Sequence, residues 1–368
     1  MSRNLVVCLD GTRNEPETGA TNVARLFAMA VKSDDQLVYY DPGVGTMGAR
    51  SATTRFGKLL TRVAGLLLGH GVKDNIEQAY GFLMHNYRQG DRIFVFGFSR
   101  GAYTALALTG MVRTVGLLRP GADNLVPYAL KLYANSGPDD PSDDEEKKFW
   151  KLRRGFTTTF GNPVLPNPFD TEHKQIEFLG VWDVVKSIGW FNWRAQLQQA
   201  RWPFTRKVPS VRTGRHAISI DEKRRQYAEY RFDSDEVAQR RGELREMWFA
   251  GVHSDVGGTF PDNHDLADIA LKWMVDEAVV AGLLVDPRAY RRVLDAKLGE
   301  ELPADHALGK IHASGLLWWL IGFGWRRRQI RAGDEIHPSV PHRVQSTQGA
   351  AKPYTAALPA PPAADVQN

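Results

Sequence analysis

Cysteine is nearly absent from this 368-residue chain, which contains a single one, Cys8. One thiol excludes an internal disulfide framework and a zinc site built on cysteines. The excess of positive charge is also small, because the chain has 47 lysines and arginines and 42 aspartates and glutamates. A net charge of +5 without a clustered basic patch does not indicate nucleic acid as a partner.

Long hydrophobic runs are missing as well. No run reaches the roughly 18 apolar residues that a membrane-spanning helix needs, and the nearest, residues 315–325, suits a buried or interfacial segment. No signal peptide is recognised, because the apolar residues 5–9 are too few for its hydrophobic region and Asp10 interrupts them. We therefore expect the protein to be cytoplasmic when it is made.

Short apolar segments alternate along the chain with segments of helical periodicity. The predicted strands are nearly continuous apolar runs, at residues 5–9, 37–40, 92–96, 176–182 and 247–252. Such runs are typical of a parallel sheet that is covered on both faces. The predicted helices are residues 72–87, 102–115 and 265–281. This alternation predicts an α/β fold, with a mostly parallel central sheet flanked by helices.

One domain is expected over residues 1–348, with two insertions. The first, at about 136–170, contains the acidic, proline-flanked residues 138–146 and predicts a solvated loop with a helix start. The second, at about 189–212, is rich in Trp, Gln, Arg and Pro and has no clear period. Residues 349–368 are rich in alanine and proline, which predicts a disordered tail.

The strongest chemical signal is the motif at residues 97–101, which matches G-x-S-x-G. A predicted strand precedes it and a predicted helix follows, which is the setting of a nucleophile elbow. The strand must turn sharply into the helix there, so small residues are needed at Gly97 and Gly101. Ser99 is therefore predicted to be a nucleophile on a strained turn, beside a helix N-terminus that favours a developing oxyanion.

A serine needs a base that a third group orients, and in α/β-hydrolases the acid and then the histidine follow the serine. Asp183 comes directly after the apolar run 176–182, at the sheet edge where α/β folds place their sites. His253 fits best among the ten histidines, because it ends a predicted strand and enters a turn of small residues, 254–258, that we expect to be flexible. A helix N-cap for Asp183 and a structural role for His253 are the alternatives.

An oxyanion hole needs two N–H groups. The N–H of Arg100, the residue after the nucleophile, is the first candidate. The second is expected from Gly11 or Thr12, in the turn that follows the first predicted strand. Asp10 and Asn14 are expected to hold that turn by side-chain hydrogen bonds, although ordinary turn chemistry explains these residues equally well.

Two further motifs point to other chemistry. Asp10-Gly11-Thr12 after an apolar strand is typical of aspartyl-phosphate enzymes, but Cys8 stands where the nucleophilic carboxylate is needed. Residues 43–48 match a dinucleotide loop, yet no acidic residue lies about 20 positions further on. The sequence has neither a P-loop nor a histidine–carboxylate array with zinc spacing, so we expect no cofactor and no metal.

Seven blocks of this sequence occur in the order of a known family: residues 10–14, 21–23, 43–46, 97–102, 180–185, 216–224 and 248–258. Together they resemble the α/β-hydrolase family, long described as a domain of unknown function, that includes phospholipase effectors of type VI secretion. The resemblance covers roughly residues 3–345. It implies an α/β-hydrolase-like fold and a serine hydrolase with Ser99, Asp183 and His253 as its triad. Gly97, Gly101 and Asp255 are expected to support that site.

The resemblance also implies a substrate and partners. The effector members cleave ester bonds of phospholipids, and export by a specialised secretion system follows from the same likeness. The resemblance also allows an immunity or adaptor protein as a partner. Against the larger effectors of that family, we expect this chain to be little more than the catalytic domain, without their long C-terminal membrane-anchoring region.

A lipid substrate needs apolar surface near the site. The candidate segments are residues 59–60, 63–68, 190–193 and 316–325. Tryptophans near arginines and a positive net charge favour transient contact with an anionic membrane surface, but core and lid packing explain these segments equally well. An esterase or thioesterase on small soluble substrates is therefore an alternative, and so is a catalytically silent binding module of the same fold.

Overall fold

A computed structural model describes residues 2–11, 20–43, 70–135, 143–170, 172–185, 202–313 and 325–356. In these residues seven strands form one sheet: β1 (Asn4–Leu9), β2 (Gln36–Asp41), β3 (Arg92–Phe98), β4 (Ile176–Trp182), β5 (Val211–Ser219), β6 (Leu244–Phe249) and β7 (Glu335–Ile336). The α-helices described are α1 (Asn22–Met29), α2 (His70–Asn86), α3 (Arg100–Val115), α4 (Val126–Ala134), α5 (Asp143–Phe160), α6 (Ser234–Gln239), α7 (His253–Gly257), α8 (Asp265–Val280), α9 (Pro287–Leu294) and α10 (Ser339–Ser346).

All seven strands are parallel, in the order β2-β1-β3-β4-β5-β6-β7. The chain leaves β1 in one direction to form β2 and then returns to the other side of β1 to form β3. Strand order therefore reverses between β1 and β3, and α/β sheets bind ligands at the carboxyl ends of the strands beside such a point.

The sheet is covered on both faces. Successive residues of a strand point to opposite sides, so Leu5 and Val7 pack in one core cluster with helices α2 and α3. Val6 and Cys8 face the other way and pack with α1, α8 and α9. Because both faces are buried, strands β1, β3 and β4 are apolar at nearly every position. The predicted α/β fold with a parallel sheet is confirmed.

Most of the predicted elements are found, with one error in their bounds. Four of the five predicted strands fall within β1 to β4, and the three predicted helices match α2, α3 and α8 to within two residues at each end. The fifth predicted strand is misplaced: β6 covers residues 244–249 instead of 247–252.

Strand β5 is not predicted from the sequence, because polar and charged side chains interrupt its apolar pattern. Two of them, Arg215 and His216, are buried in the structure. Arg215 pairs with Glu277 at 2.8 Å, and His216 lies 3.0 Å from Glu246. Partners distant in sequence make the burial of these polar groups tolerable, and a local pattern does not reveal them.

The predicted insertions and tail are described in part. The first insertion contains α5, which begins at Asp143, within the acidic stretch that predicts a helix start. Of the second, residues 202–212 are described, and residues 189–201 lie outside the described residues. In the predicted tail, the Tyr354 hydroxyl donates to Asp221 Oδ2 at 2.9 Å, whereas residues 357–368 lie outside the description. In the described part of the chain, every helix is too short or too polar to cross a membrane.

Candidate active site

Ser99 stands on a sharp turn between β3 and α3. Its backbone has φ 58° and ψ −121°, a region that residues with a side chain rarely adopt. A Cβ on Gly97 would come within 2.6 Å of the Gly101 carbonyl oxygen, and one on Gly101 within 2.2 Å of the Leu9 carbonyl oxygen. Glycine is therefore required on both sides of the serine, because strand, turn and helix approach too closely for a side chain.

Asp183 is the first residue after β4 and is also in a strained conformation, with φ 41°. Its N–H donates to the Ala217 carbonyl on β5 at 2.8 Å, and the N–H of Val184 donates to His216 Nε2 at 3.3 Å. These contacts hold the turn against the neighbouring strand. The Asp183 carboxylate is buried, at 1% exposure, directly beside the end of the β3 elbow.

His253 is the first residue of helix α7, which follows β6 after three residues. The expectation of a flexible turn at residues 254–258 is wrong, because residues 253–257 are helical. His253 Nε2 lies 2.9 Å from Ser99 Oγ, and His253 Nδ1 lies 2.5 Å from Asp183 Oδ2. The structure thus brings the three predicted side chains into one chain of hydrogen bonds.

Two aromatic rings contact the imidazole of His253. Phe98 stacks on it with ring centres 4.7 Å apart, and Tyr227 meets it edge-on at 4.8 Å. The backbone N–H of His253 donates to the fully buried carboxylate of Glu222 at 3.3 Å. These contacts fix the ring plane, so that its two nitrogens point at Ser99 and Asp183.

The carboxylate of Asp183 has a second partner, Arg328. Arg328 Nη1 donates to Oδ1 at 2.5 Å and Nη2 to Oδ2 at 3.1 Å, while the Ser219 N–H donates to Oδ1 at 2.9 Å. Burial alone would raise the pKa of Asp183, but the charge of Arg328 and the hydrogen bond from His253 outweigh it. The pKa of this carboxyl is therefore held well below its usual range, and the group is ionised.

The protonation of His253 follows from its surroundings. Burial lowers the pKa of His253, and the hydrogen bond and charge of Asp183 offset that effect only in part. The neutral imidazole donates its Nδ1 proton to the carboxylate, which leaves the Nε2 lone pair facing the Ser99 hydroxyl. A neutral base beside a hydroxyl is the arrangement that proton abstraction requires.

Glu222 forms a second buried ion pair at the site. Arg224 contacts both of its carboxylate oxygens, at 2.9 and 2.7 Å, and also stacks over the Tyr227 ring at 3.7 Å. The pair connects the backbone of His253 to the ring that covers its imidazole. Glu222 and Arg224 therefore fix both ends of the histidine.

Asp255, predicted to support the site, lies inside helix α7. Its Oδ2 accepts the N–H of Val252 at 2.9 Å, which satisfies a free N–H at the start of the helix. Its Oδ1 lies 2.6 Å from Nδ1 of the buried His312. Asp255 thus anchors the helix that presents His253, without touching the imidazole.

The predicted oxyanion turn is described only in part. A Cβ on Gly11 would lie 3.3 Å from the Ser99 Cβ, so the Gly11 backbone is directly beside the serine. The Gly11 N–H donates to Asp10 Oδ1 at 2.6 Å, and Asp10 Oδ2 accepts the hydroxyls of Thr21 and Tyr40 at 2.5 and 2.8 Å. Thr12 and Asn14 lie outside the described residues, as do the loop at 44–48 and the apolar segments 59–68, 190–193 and 316–324.

Several residues of the site were not predicted individually. Glu222 and Arg224 fall in the block 216–224, one of those that carry the resemblance, and that block is the signal by which they could have been found. Arg328 has no such signal, because it closes a run of three arginines that suits a solvated or membrane-facing surface. Among the described residues, no group of three histidine, cysteine, aspartate or glutamate side chains could hold a metal ion.

Comparison with known proteins gives three further findings. A curated relative, the uncharacterized protein YEL023C of Saccharomyces cerevisiae, is 32% identical over 237 residues, which are 62% of this chain and 33% of that protein. This chain thus spans about a third of the length of that relative. An uncharacterized protein from Pseudomonas aeruginosa has a solved structure that matches 78% of this chain and 47% of its own, at 19% identity and a TM-score of 0.42. The Tle1 effector bound to the VgrG spike of the type 6 secretion system matches 83% of this chain and 77% of its own, at 14% identity and a TM-score of 0.45.

A family model matches the chain over residues 3–277, and its description is the catalytic domain of Tle1-like phospholipase effectors of the type VI secretion system. The matched segment runs from β1 into α8 and contains Ser99, Asp183 and His253. This chain therefore belongs to the Tle1-like family of type VI secretion phospholipase effectors, through their catalytic domain.

Proposed function

We propose that this protein is a serine hydrolase that cleaves carboxylic esters of phospholipids through an acyl-enzyme, with Ser99, His253 and Asp183 as its catalytic triad. The observation that carries the proposal is the hydrogen-bond chain of 2.9 Å from Ser99 to His253 and 2.5 Å from His253 to Asp183. Membership of a phospholipase family supports the choice of substrate class.

In the first half of the reaction, Ser99 Oγ attacks the acyl carbonyl while His253 Nε2 takes the hydroxyl proton. A bond forms between Oγ and the carbonyl carbon, and the carbonyl oxygen becomes an oxyanion. Asp183 holds the Nδ1 proton and stabilises the imidazolium. When the tetrahedral intermediate collapses, the ester C–O bond breaks and His253 gives its proton to the leaving alcohol, which for a phospholipid is the lysophospholipid.

In the second half, water replaces the alcohol. His253 removes a proton from the water while the water oxygen attacks the acyl-enzyme carbonyl. The bond between the carbonyl carbon and Ser99 Oγ then breaks, and His253 returns the proton to Oγ. The products are a free fatty acid and the original enzyme. The proton transfers of both halves use only the three side chains, the leaving alcohol and water.

The oxyanion requires donors that point at the reacting carbonyl. We propose the Arg100 N–H, at the start of α3, as one donor, and an N–H of Gly11 or Thr12 as the other. Because the Gly11 N–H donates to Asp10 Oδ1, it can serve only if that hydrogen bond is exchanged for one to the oxyanion. Losing one such donor typically costs about 100- to 1000-fold in kcat.

Export through the type VI secretion machinery is a separate proposal. It is supported by the family description alone. The relative in Saccharomyces cerevisiae shows that similar sequences also occur in a eukaryote, so the hydrolase proposal and the export proposal stand or fall independently.

The test is product analysis by mass spectrometry on vesicles of phosphatidylethanolamine and phosphatidylglycerol. The wild type should release fatty acid and lysophospholipid, and Ser99→Ala should release neither. Ser346→Ala, which alters an exposed serine at the end of α10, is the matched control and should behave as the wild type.

Other outcomes lead to different conclusions. Cleavage of p-nitrophenyl butyrate without cleavage of vesicles would replace the lipid substrate with a small soluble ester. Failure on both substrates, with a folded protein, would leave a binding module and refute the proposal.

A further inference from the structure

Arg328 comes from a part of the chain that the family match does not include, since that match ends at residue 277. Backbone contacts hold this part at the site. The N–H of Arg326 donates to the Lys223 carbonyl at 2.8 Å, and Trp325 forms an isolated β-bridge with Arg224. Residues 325–328 are thus fastened to the segment that follows β5.

The guanidinium of Arg328 completes the surroundings of the Asp183 carboxylate. Each carboxylate oxygen accepts two hydrogen bonds: Oδ1 from Arg328 and the Ser219 N–H, and Oδ2 from Arg328 and His253. Arg328 itself is fixed by Ser219, whose Oγ lies 2.8 Å from Nη1, and by the Tyr227 carbonyl, 2.6 Å from Nη2. Its side chain is 2% exposed, so the pair is shielded from water.

We propose that Arg328 is a positioning residue of this hydrolase: its two-pronged contact locks the Asp183 carboxylate in the orientation that presents Oδ2 to His253. The inference rests on the proposed function, in which His253 is the base and Asp183 orients it. A planar guanidinium suits this role because two parallel N–H groups fix the plane of a carboxylate, which a single point charge cannot do.

The same contact changes the electrostatics of the base. Asp183 and Arg328 cancel in charge, and so do Glu222 and Arg224, which contact the His253 backbone and the Tyr227 ring. These groups, with Tyr227 and Ser99, are the titratable and charged side chains described around the imidazole. Removing the positive charge of Arg328 would leave the Asp183 charge uncompensated, and an uncompensated anion favours the protonated imidazolium.

The experiment compares Arg328→Met and Arg328→Lys with the wild type. Active sites are titrated with a fluorophosphonate, and kcat and KM for p-nitrophenyl butyrate are expressed per titrated serine. Arg215 provides the matched control: its side chain is also buried and pairs with a carboxylate, Glu277, but contacts none of the three triad residues. Arg215→Met and Arg215→Lys report what the loss of a buried ion pair does to the fold alone.

We expect Arg328→Met to lower kcat by about 100-fold with little change in KM, because a small displacement of a catalytic group has that effect. Its acid limb of kcat/KM should move to higher pH. Arg328→Lys should recover about tenfold in kcat and keep the wild-type acid limb, since lysine retains the charge but not the two-pronged contact. The Arg215 variants should keep kcat per titrated serine and the wild-type limb.

A wild-type kcat and acid limb in Arg328→Met, while the wild type itself is labelled, would overturn the inference and leave the proposed function intact. If Arg328→Met does not fold, a wild-type kcat in Arg328→Lys overturns it in the same way. A folded wild type that neither reacts with the fluorophosphonate nor cleaves the ester refutes the proposed function, and this inference with it.

Discussion

In the described part of the chain, an arginine and a buried histidine share a buried carboxylate at two places. At the carboxyl edge of the sheet, Arg328 and His253 share the carboxylate of Asp183. Between β5 and β6, Arg231 and His216 share the carboxylate of Glu246, at 2.7 and 3.0 Å. In each group the histidine directs Nδ1 at the carboxylate.

The two groups differ in what the other ring nitrogen faces. His216 Nε2 accepts the N–H of Val184, so both nitrogens are engaged in holding the backbone. His253 Nε2 faces the hydroxyl of Ser99 on a strained turn. The carboxylate–histidine contact is the same in both groups, but its consequence differs. One group holds the turn that carries Asp183, and the other can move a proton. Composition and burial do not separate these roles, whereas the partner of Nε2 does.

The largest effect should come from replacing the two histidines by glutamine. His253→Gln should lower kcat for p-nitrophenyl butyrate by about 10⁵- to 10⁶-fold, because removal of the base disables the whole triad. His216→Gln should stay within about tenfold of the wild type, since it can move Asp183 only through the backbone of Val184. Rates are compared per folded molecule, by circular dichroism. Equal losses in both variants would contradict the distinction between the groups.

A smaller but still large effect is expected from the two carboxylates. Asp183→Asn should lower kcat by about 10⁴-fold, because the amide favours the wrong tautomer of His253. Glu246→Gln should act mainly on stability, lowering the free energy of unfolding by about 3 kcal/mol as it leaves Arg231 with one ionic partner fewer. Urea unfolding combined with steady-state kinetics separates the two outcomes. A stable Asp183→Asn with nearly full activity would remove Asp183 from the mechanism.

A substitution at Asp255 tests how much helix α7, which begins with His253, contributes to activity and stability. Asp255→Ala removes the acceptor of the Val252 N–H and the partner of His312, and we expect about 2 kcal/mol of lost stability. The expected fall in kcat is about tenfold, because the displacement of His253 is indirect. Ser254→Ala, at the neighbouring position of the same helix, is the control and should change neither quantity much. A fall as deep as that of His253→Gln would mean that Asp255 takes part in the chemistry.

The smallest expected effect is on the pH dependence of kcat/KM. Because burial lowers the pKa of His253 below its ordinary value of 6.5, the base stays neutral in more acidic solution than an exposed histidine would. Activity requires the neutral form, so the plateau of kcat/KM should extend below pH 6.5 and fall only at lower pH. A pH–rate profile of ester hydrolysis measures this directly. An acid limb above pH 6.5 would show that His253 is not held in the neutral form.

Much of the fold could be predicted because its strands are apolar and buried on both faces. Strand β5 could not, since Arg215 and His216 occupy its interior and their partners lie more than 25 residues away. Strand β7 could not either, because it has only two residues, Glu335 and Ile336. Pairing across the sheet, which a local pattern does not contain, decides both.

At the site, the residues that follow strands could be predicted, and so could the supporting residues Gly97, Gly101 and Asp255, whereas Arg328 could not. Ser99, Asp183 and His253 each come directly after a strand or within four residues of one, and a parallel sheet brings such positions to one edge. Arg328 reaches the same edge from a segment with no local strand pattern, so only the folded chain reveals it. The helix at residues 253–257 was also hidden, because its small residues suit a turn equally well.

The central claim is that one serine hydroxyl, activated by His253, is the nucleophile. Reaction of the intact wild type with a fluorophosphonate, followed by digestion and mass spectrometry, tests it most directly. We predict a single adduct, on Ser99, that is lost in Ser99→Ala and strongly slowed in His253→Gln but formed at the wild-type rate in Ser346→Ala. A folded wild type that forms no adduct, or carries it on another residue, would contradict the account.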